Sequence, residues 1–212
     1  MNNALPNIFN KHKICIICEG YEEYDYFNKL IELDIFHENY HIVLENAKSN
    51  GQIPAMYIDK FMNDSYDIIL VFCDTDREPY NDYFTIKKKI DDFHNLTVTN
   101  EIIMFGNPCT MQIILSHFER ISLRTHNKKV NAPLIEHLTG VKNYKARRDQ
   151  REMVMNLINL DNYYLMKQNL VFLSQIDSIT PSTNLLPFLK KLEQGHILWV
   201  TSLKNKLENP LT

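Results

Sequence analysis

Three carboxylates stand where chemistry is expected: Glu19, directly before Gly20, and the pair Asp74 and Asp76 in Asp74-Thr75-Asp76. Each follows a short apolar run, residues 13–18 (Lys-Ile-Cys-Ile-Ile-Cys) and residues 67–73 (Asp-Ile-Ile-Leu-Val-Phe-Cys). In extended backbone, side chains two apart point to the same side, so Asp74 and Asp76 share a face. If the two runs are neighbouring strands, all three carboxylates converge at one sheet edge. Such anions repel and raise each other's pKa unless a cation neutralises them. A hard divalent cation does so, and Mg²⁺ is typically held by one or two carboxylates together with water and substrate phosphate. The expected chemistry is phosphoryl transfer at Mg²⁺, or Mn²⁺ in its place. The competing reading is that acids at strand ends serve as helix caps and turns. Glu23, one helical turn beyond Glu19, is read as a further metal ligand or as an acid favoured at a helix N-terminus.

The elements that must position these residues are legible as runs and periods. Residues 13–18, 67–73 and 101–105 are continuously apolar, and residues 41–44 more weakly so. Continuous rather than alternating hydrophobicity predicts strands buried on both faces, as in a parallel sheet. Between them, residues 22–35 place Tyr24, Phe27, Leu30, Ile31 and Ile35 at helical spacing. Residues 52–62, 81–93 and 110–118 are read as further helices, the last opened by Asn107-Pro108. Alternating strands and helices predict an α/β fold with an open, mainly parallel sheet, in which ligands bind at the carboxyl ends of strands. Beyond residue 119 the texture changes: residues 120–131 read as a basic loop, and 149–168 and 185–207 as helices around Gly195. Residues 169–176 fit strand or helix equally. The division expected is residues 13–118 as the catalytic domain and 119–212 as a basic insertion and helical region packed on it.

Composition narrows the class. The chain has 212 residues, 44% apolar and 23% charged, as in an ordinary globular protein. No run of about 18 apolar residues predicts a membrane span, and residues 1–10 lack a signal-peptide layout, so a cytoplasmic protein is expected. Cys15 and Cys18 form a C-x-x-C, but residues three apart on a strand face opposite ways, so they read as small buried residues rather than a metal or redox pair. Net charge is −3, yet residues 120–151 hold nine Lys or Arg against Glu136 and Asp149, a local +7 on a body of −10. That stretch is read as a contact surface for a phosphate backbone or as a solvated connector. Within it Lys145, Arg147 and Arg148, with Tyr144 as an aromatic that could stack on a base, are the candidate nucleic-acid contacts. Asn107 joins them as a phosphate contact or a cap. His117 is expected to be a packed or capping residue.

Three segments resemble the Toprim domain and, more narrowly, the RloB-like proteins, bacterial Toprim proteins linked to phage defence. Residues 16–27, containing Glu19-Gly20-Tyr21-Glu22-Glu23 and Tyr26-Phe27, are similar to the family's EG-x-TE-x-x-YF start. Val71-Phe72-Cys73-Asp74-Thr75-Asp76 matches its D-x-D strand. Gly106-Asn107-Pro108-Cys109, running on to His117-Phe118, is similar to its SNPCFE-x-W-LLLHF stretch. The sequence departs at Glu22, where Thr is usual, at Met111, where the family has Glu, and at Ile113, where it has Trp. The resemblance implies a Toprim-like sheet, Asp74 and Asp76 as holders of Mg²⁺, and Glu19 as a general acid/base or metal ligand. It implies hydrolysis of phosphodiester bonds in a nucleic-acid substrate, with RNA or tRNA in view, during abortive defence against phage. No G-x-x-x-x-G-K-[ST] loop occurs, so a sensor or activating partner protein is implied; a homodimer is left open. The altered 111 and 113 positions keep a second expectation alive, a nucleotide or nucleic-acid sensor of Toprim fold with weak or no catalysis. A phosphotransfer receiver is set aside. There the acidic pair follows the first strand, and no Lys ends the strand at residues 101–105.

Overall fold

The structure, a computed structural model, describes residues 11–76 and 78–208. The N-terminal stretch read for a signal peptide, and Pro210, lie outside these residues. Four parallel strands form the centre: β1 (His12–Cys18), β2 (Tyr40–Asn46), β3 (Ile68–Asp74) and β4 (Ile103–Asn107). A short fifth strand, β5 (Ser182–Thr183), runs antiparallel to β4, giving the order β2-β1-β3-β4-β5. The register sets Cys18 beside Phe72 and Asp74 beside Gly106. The apolar runs fill the interior as expected: Ile14 to Cys18 and Leu70 to Cys73 have no exposed surface.

The crossovers decide where the helices go. The chain steps from β1 to β2 in one direction through α1 (Tyr21–Glu32). It returns past β1 to β3 through α2 (Ile53–Asn63). Right-handed crossovers in opposite directions put α1 and α2 on opposite faces. The step from β3 to β4 runs the same way as the second crossover, so α3 (Asn81–His94) joins α2, where Tyr57 and His94 share a 2.9 Å hydrogen bond. On the other face Tyr26 and Phe27 of α1 pack on Phe72. The direction of travel reverses between β1 and β3. That reversal opens a crevice at the carboxyl ends of those two strands, the place where open α/β sheets bind ligands.

The expected fourth strand starts later than its apolar run, because Thr99–Ile102 forms a helical turn, α4, ahead of it. The helix expected over residues 110–118 is a short α5 (Met111–Leu115) followed by turns. Residues 119–127 are irregular, and α6 (Lys128–Thr139) follows. The expected long helix at 149–168 is two, α7 (Arg148–Asn156) and α8 (Leu160–Leu170); the latter begins at an Asn159–Asn162 capping box. Helices α9 (Leu185–Gln194) and α10 (Ile197–Glu208) flank Gly195, which takes φ +62°. The region past residue 119 therefore contributes both to the sheet, through β5, and to its cover. Lys204 of α10 pairs with Asp67 at 2.9 Å, and Trp199 donates to Tyr40 Oη at 3.0 Å. Among the described residues no helix is long and apolar enough to cross a membrane.

Candidate active site

The crevice between β1 and β3 is built by the strand ends themselves. Glu19 N donates to Phe72 O at 3.0 Å, continuing the ladder one residue past β1. The Glu19 side chain then crosses to the neighbouring strand, where Oε2 accepts from Asp74 N at 2.9 Å. Asp74 Oδ1 accepts from both the amide (2.6 Å) and the hydroxyl (2.7 Å) of Thr110. That double contact needs the turn before α5 to press against β4, and Gly106 permits it. A Cβ at Gly106 would lie 3.0 Å from the Cys109 carbonyl carbon and from Thr110 N. Asp76 sits in left-handed backbone at φ +59°, its Oδ2 accepting from Asn50 Nδ2 at 3.1 Å. Glu23 Oε2 reaches back to Gly20 N at 2.9 Å, so it caps α1 and also belongs to the cleft. Glu19, Glu23, Asp74 and Asp76 line one cleft of about 350 Å³.

Burial and mutual repulsion govern this group. Burial first, and then the charges of Glu23, Asp76 and Glu22, push the Glu19 carboxyl up to about 8, against the pull of the Asp74 amide. Burial and neighbouring Glu22 push Glu23 up to about 7. Asp74 is driven well above the usual carboxylate range by burial, Glu23 and Glu19, with Thr110 opposing. Asp76 is raised mainly by burial, with His126 and Lys128 opposing. An uncompensated anionic cluster of this kind is expensive, and it is relieved by protons or by a cation. Beside it, among the described residues, Thr75 Oγ1, Asn50 Oδ1 and Asn46 Nδ2 are buried without hydrogen-bond partners, whereas buried polar groups are ordinarily paired.

Carboxylate oxygens are the donor type that a hard divalent ion takes. One oxygen of each of Glu19, Asp74 and Asp76 accepts the bonds above, and among the described residues no hydrogen bond is made to the other. Among the described residues, no group of three or more His, Cys, Asp or Glu side chains is placed to hold a metal ion as it stands. An all-oxygen site of one or two carboxylates that leaves room for water suits Mg²⁺ better than a tightly closed site.

Several lining residues were not singled out by sequence. Glu22 accepts from Tyr144 Oη at 2.9 Å through Oε1 and pairs with Lys128 through Oε2. Arg151 donates Nε to Asp25 at 2.6 Å and Nη1 to Ala146 O at 2.6 Å. Lys48 adds positive charge to the rim, which His126 also lines. The signal for part of this rim was the local charge: Lys128 and Arg151 were counted in the basic stretch, but nothing in the sequence showed which of its nine cations turn inward.

Comparison with known protein families, with characterised proteins and with solved structures gave no match. The site therefore rests on its own geometry.

That geometry changes the reading of the other candidates. Asn107 has no exposed surface; it donates to Asp177 O at 2.7 Å and accepts from Thr180 Oγ1 at 2.8 Å. Its amide ties β4 to the segment before β5, so neither the phosphate contact nor the helix cap expected of it is formed. Tyr144 is buried with its hydroxyl on Glu22, which removes it as a stacking surface. Lys145, Arg147 and Arg148 are exposed beside Ala146 but do not line the cleft, and Arg148 pairs with Glu152. His117 is packed as expected. It shares hydrogen bonds with Tyr26 (3.2 Å) and Asn162 (3.3 Å), and burial holds it down at about 4. Met111 and Ile113 are core residues. All four cysteines are free and buried, and burial pushes the Cys15 thiol up to about 12.

Proposed function

We propose that this chain is a Mg²⁺-dependent nuclease of Toprim type, hydrolysing phosphodiester bonds of nucleic acid, with Mn²⁺ as an alternative ion. The observation that carries the reading is the joining of Glu19 to Asp74 across two neighbouring parallel strands, at the crevice where the topology reverses. The five-stranded, mostly parallel sheet is compatible with a Toprim-like fold. Asp74 and Asp76, with Glu19 or Glu23, would hold the ion. When bound, the ion would neutralise charge gathering on the phosphoryl oxygens and lower the pKa of attacking water. Glu19, held in place by the Asp74 amide, would exchange a proton with the attacking or leaving oxygen. Lys128 lines the cleft beside the carboxylates and would supply positive charge toward a substrate phosphate. The RloB-like assignment, the role in phage defence and the need for an activating partner come from the sequence resemblance alone.

A second reading is a nucleic-acid or nucleotide sensor with little catalysis. It is favoured by Lys128, which pairs with Glu22 inside the cleft and already supplies a resident cation near Glu23 and Asp74. Cleavage of a panel of tRNA, single-stranded RNA, and linear and supercoiled DNA, in Mg²⁺, Mn²⁺ or EDTA, separates the two. Metal-dependent cleavage that vanishes in Asp74→Ala supports the nuclease. Ligand binding that survives both EDTA and Glu19→Gln, without cleavage, supports the sensor.

A further inference from the structure

Tyr21 is the first residue of α1 and lines the cleft beside Glu19, yet 55% of it is exposed. Of the aromatic residues that follow it, Tyr26 and Phe27 are fully buried and Tyr24 is half-buried against the core. A single exposed aromatic needs no explanation by itself; Tyr21 is set apart by its place in the acidic cleft. Tyr21 is held in place. The Arg151 guanidinium lies over its ring at 5.1 Å, and Arg151 is itself fixed by Asp25 and the Ala146 carbonyl, with only 9% of its surface exposed.

We propose that Tyr21 is a stacking platform for an unpaired base, and that the substrate class is single-stranded nucleic acid. The inference rests on the nuclease reading and deepens it. A paired base keeps both faces inside the duplex, so it cannot lie on a protein ring without being flipped out. An unpaired base offers its face at no such cost, and every base has one. The cleft, at about 350 Å³, has room for a base beside the carboxylates. With a base on Tyr21, the neighbouring phosphate falls toward the rim cations Lys48 and Lys128 and the carboxylate floor. Glu19, Glu22, Glu23, Asp74 and Asp76 outnumber the cations of the lining, so the polyanion is admitted only when a divalent ion offsets them.

The test is fluorescence anisotropy with a short labelled oligonucleotide, as RNA and as DNA, alone or annealed to its complement. It is run in Mg²⁺ on the full chain carrying Glu19→Gln to stop turnover. One or both single strands should bind about tenfold or more tighter than their duplexes. Tyr21→Ala should weaken single-strand binding by about 5- to 100-fold, whereas Tyr21→Phe, which keeps the ring, should not. In the active protein, any cleavage by Tyr21→Ala should show a raised KM with kcat little changed. Equal binding of duplex and single strand, or an unchanged Tyr21→Ala, overturns the proposal. Single-strand preference that depends on Tyr21 without any cleavage leaves the platform standing and removes the nuclease. Cleavage with wild-type KM in Tyr21→Ala does the reverse.

Discussion

At the scale of the residue, the carboxylates in the crevice set against stability what they supply to function. Glu23 is buried and Glu19 and Asp74 half-buried; desolvation and neighbouring carboxylates raise their proton affinity, and the strands and the Thr110 turn hold them together. Neutral isosteres should relieve that strain. Glu19→Gln and Asp74→Asn are expected to raise the melting temperature in EDTA by a few degrees, on the order of 1 kcal/mol or more. The same changes should lower turnover by orders of magnitude. Calorimetry beside a cleavage assay checks both, and a variant that is less stable than wild type in EDTA contradicts the electrostatic account. His117 works in the opposite direction. Its folded pKa is depressed from 6.5 to about 4 by burial, so the unfolded chain binds the extra proton between those values. The stability held by the neutral ring is complete above pH 6.5 and is lost as pH falls toward 4, on the order of 3 kcal/mol. Urea unfolding of wild type beside His117→Gln from pH 7 to 4 should show this contribution as the difference between the two profiles, because protonation of Glu19, Glu23 and Asp74 acts in the opposite direction over the same window. His94, also depressed by burial, contributes a residual slope of the same sign.

At the scale of the element, two short connections decide whether the site forms. The turn after β4 delivers Thr110 to Asp74 only because residue 106 has no side chain. Gly106→Ala is expected to cost about 1–3 kcal/mol through overpacking and to weaken Mg²⁺ binding, measured by titration calorimetry. The second connection is Glu22, at the start of α1, which fastens the beginning of α6 through Lys128 and the turn before α7 through Tyr144. Glu22→Ala leaves the sheet untouched and releases both. Hydrogen exchange should accelerate across residues 126–146 while β1 and β3 keep their protection; uniform change across the chain would argue against this clamp.

At the scale of the whole molecule, the proposed ion binding would be linked to folding, because the cluster exists only when β1, β3 and the residue 109–110 turn are assembled. An ion that binds only the folded chain stabilises it by about 2.7 kcal/mol at one hundred times its Kd. For a chain of this size that is an upward shift of about 5–10 °C. Wild type should show this shift in saturating Mg²⁺ relative to EDTA, and Asp74→Ala should not. The C-terminal half shares in the same cooperative unit. β5 closes the sheet edge beside β4, and α10 is bonded to residues at the opposite edge through Trp199 and Tyr40. Deleting α10 should therefore destabilise the whole molecule rather than a separate domain, giving one lowered transition in place of two.

Much of this was readable from residue type and spacing. Continuous apolar runs announced buried parallel strands, and helical periods between them announced the crossovers, because both signals come from burial that is local along the chain. Glu19, Asp74 and Asp76 stood out because a charge directly after a buried run must sit at the sheet's edge. The geometry then joins Glu19 and Asp74 across neighbouring strands, and pairing depends on which strands are adjacent. That adjacency, the reversal between β1 and β3, was set by tertiary structure. So were the fates of Asn107, spent on holding the segment before β5, and of Tyr144, spent on Glu22. Whether a cation of the 120–151 stretch turns inward, as Lys128 and Arg151 do, or outward, as Lys145, Arg147 and Arg148 do, is decided by partners more than 100 residues away in sequence. No local pattern encodes a contact of that range, because its energy comes from the assembled cleft.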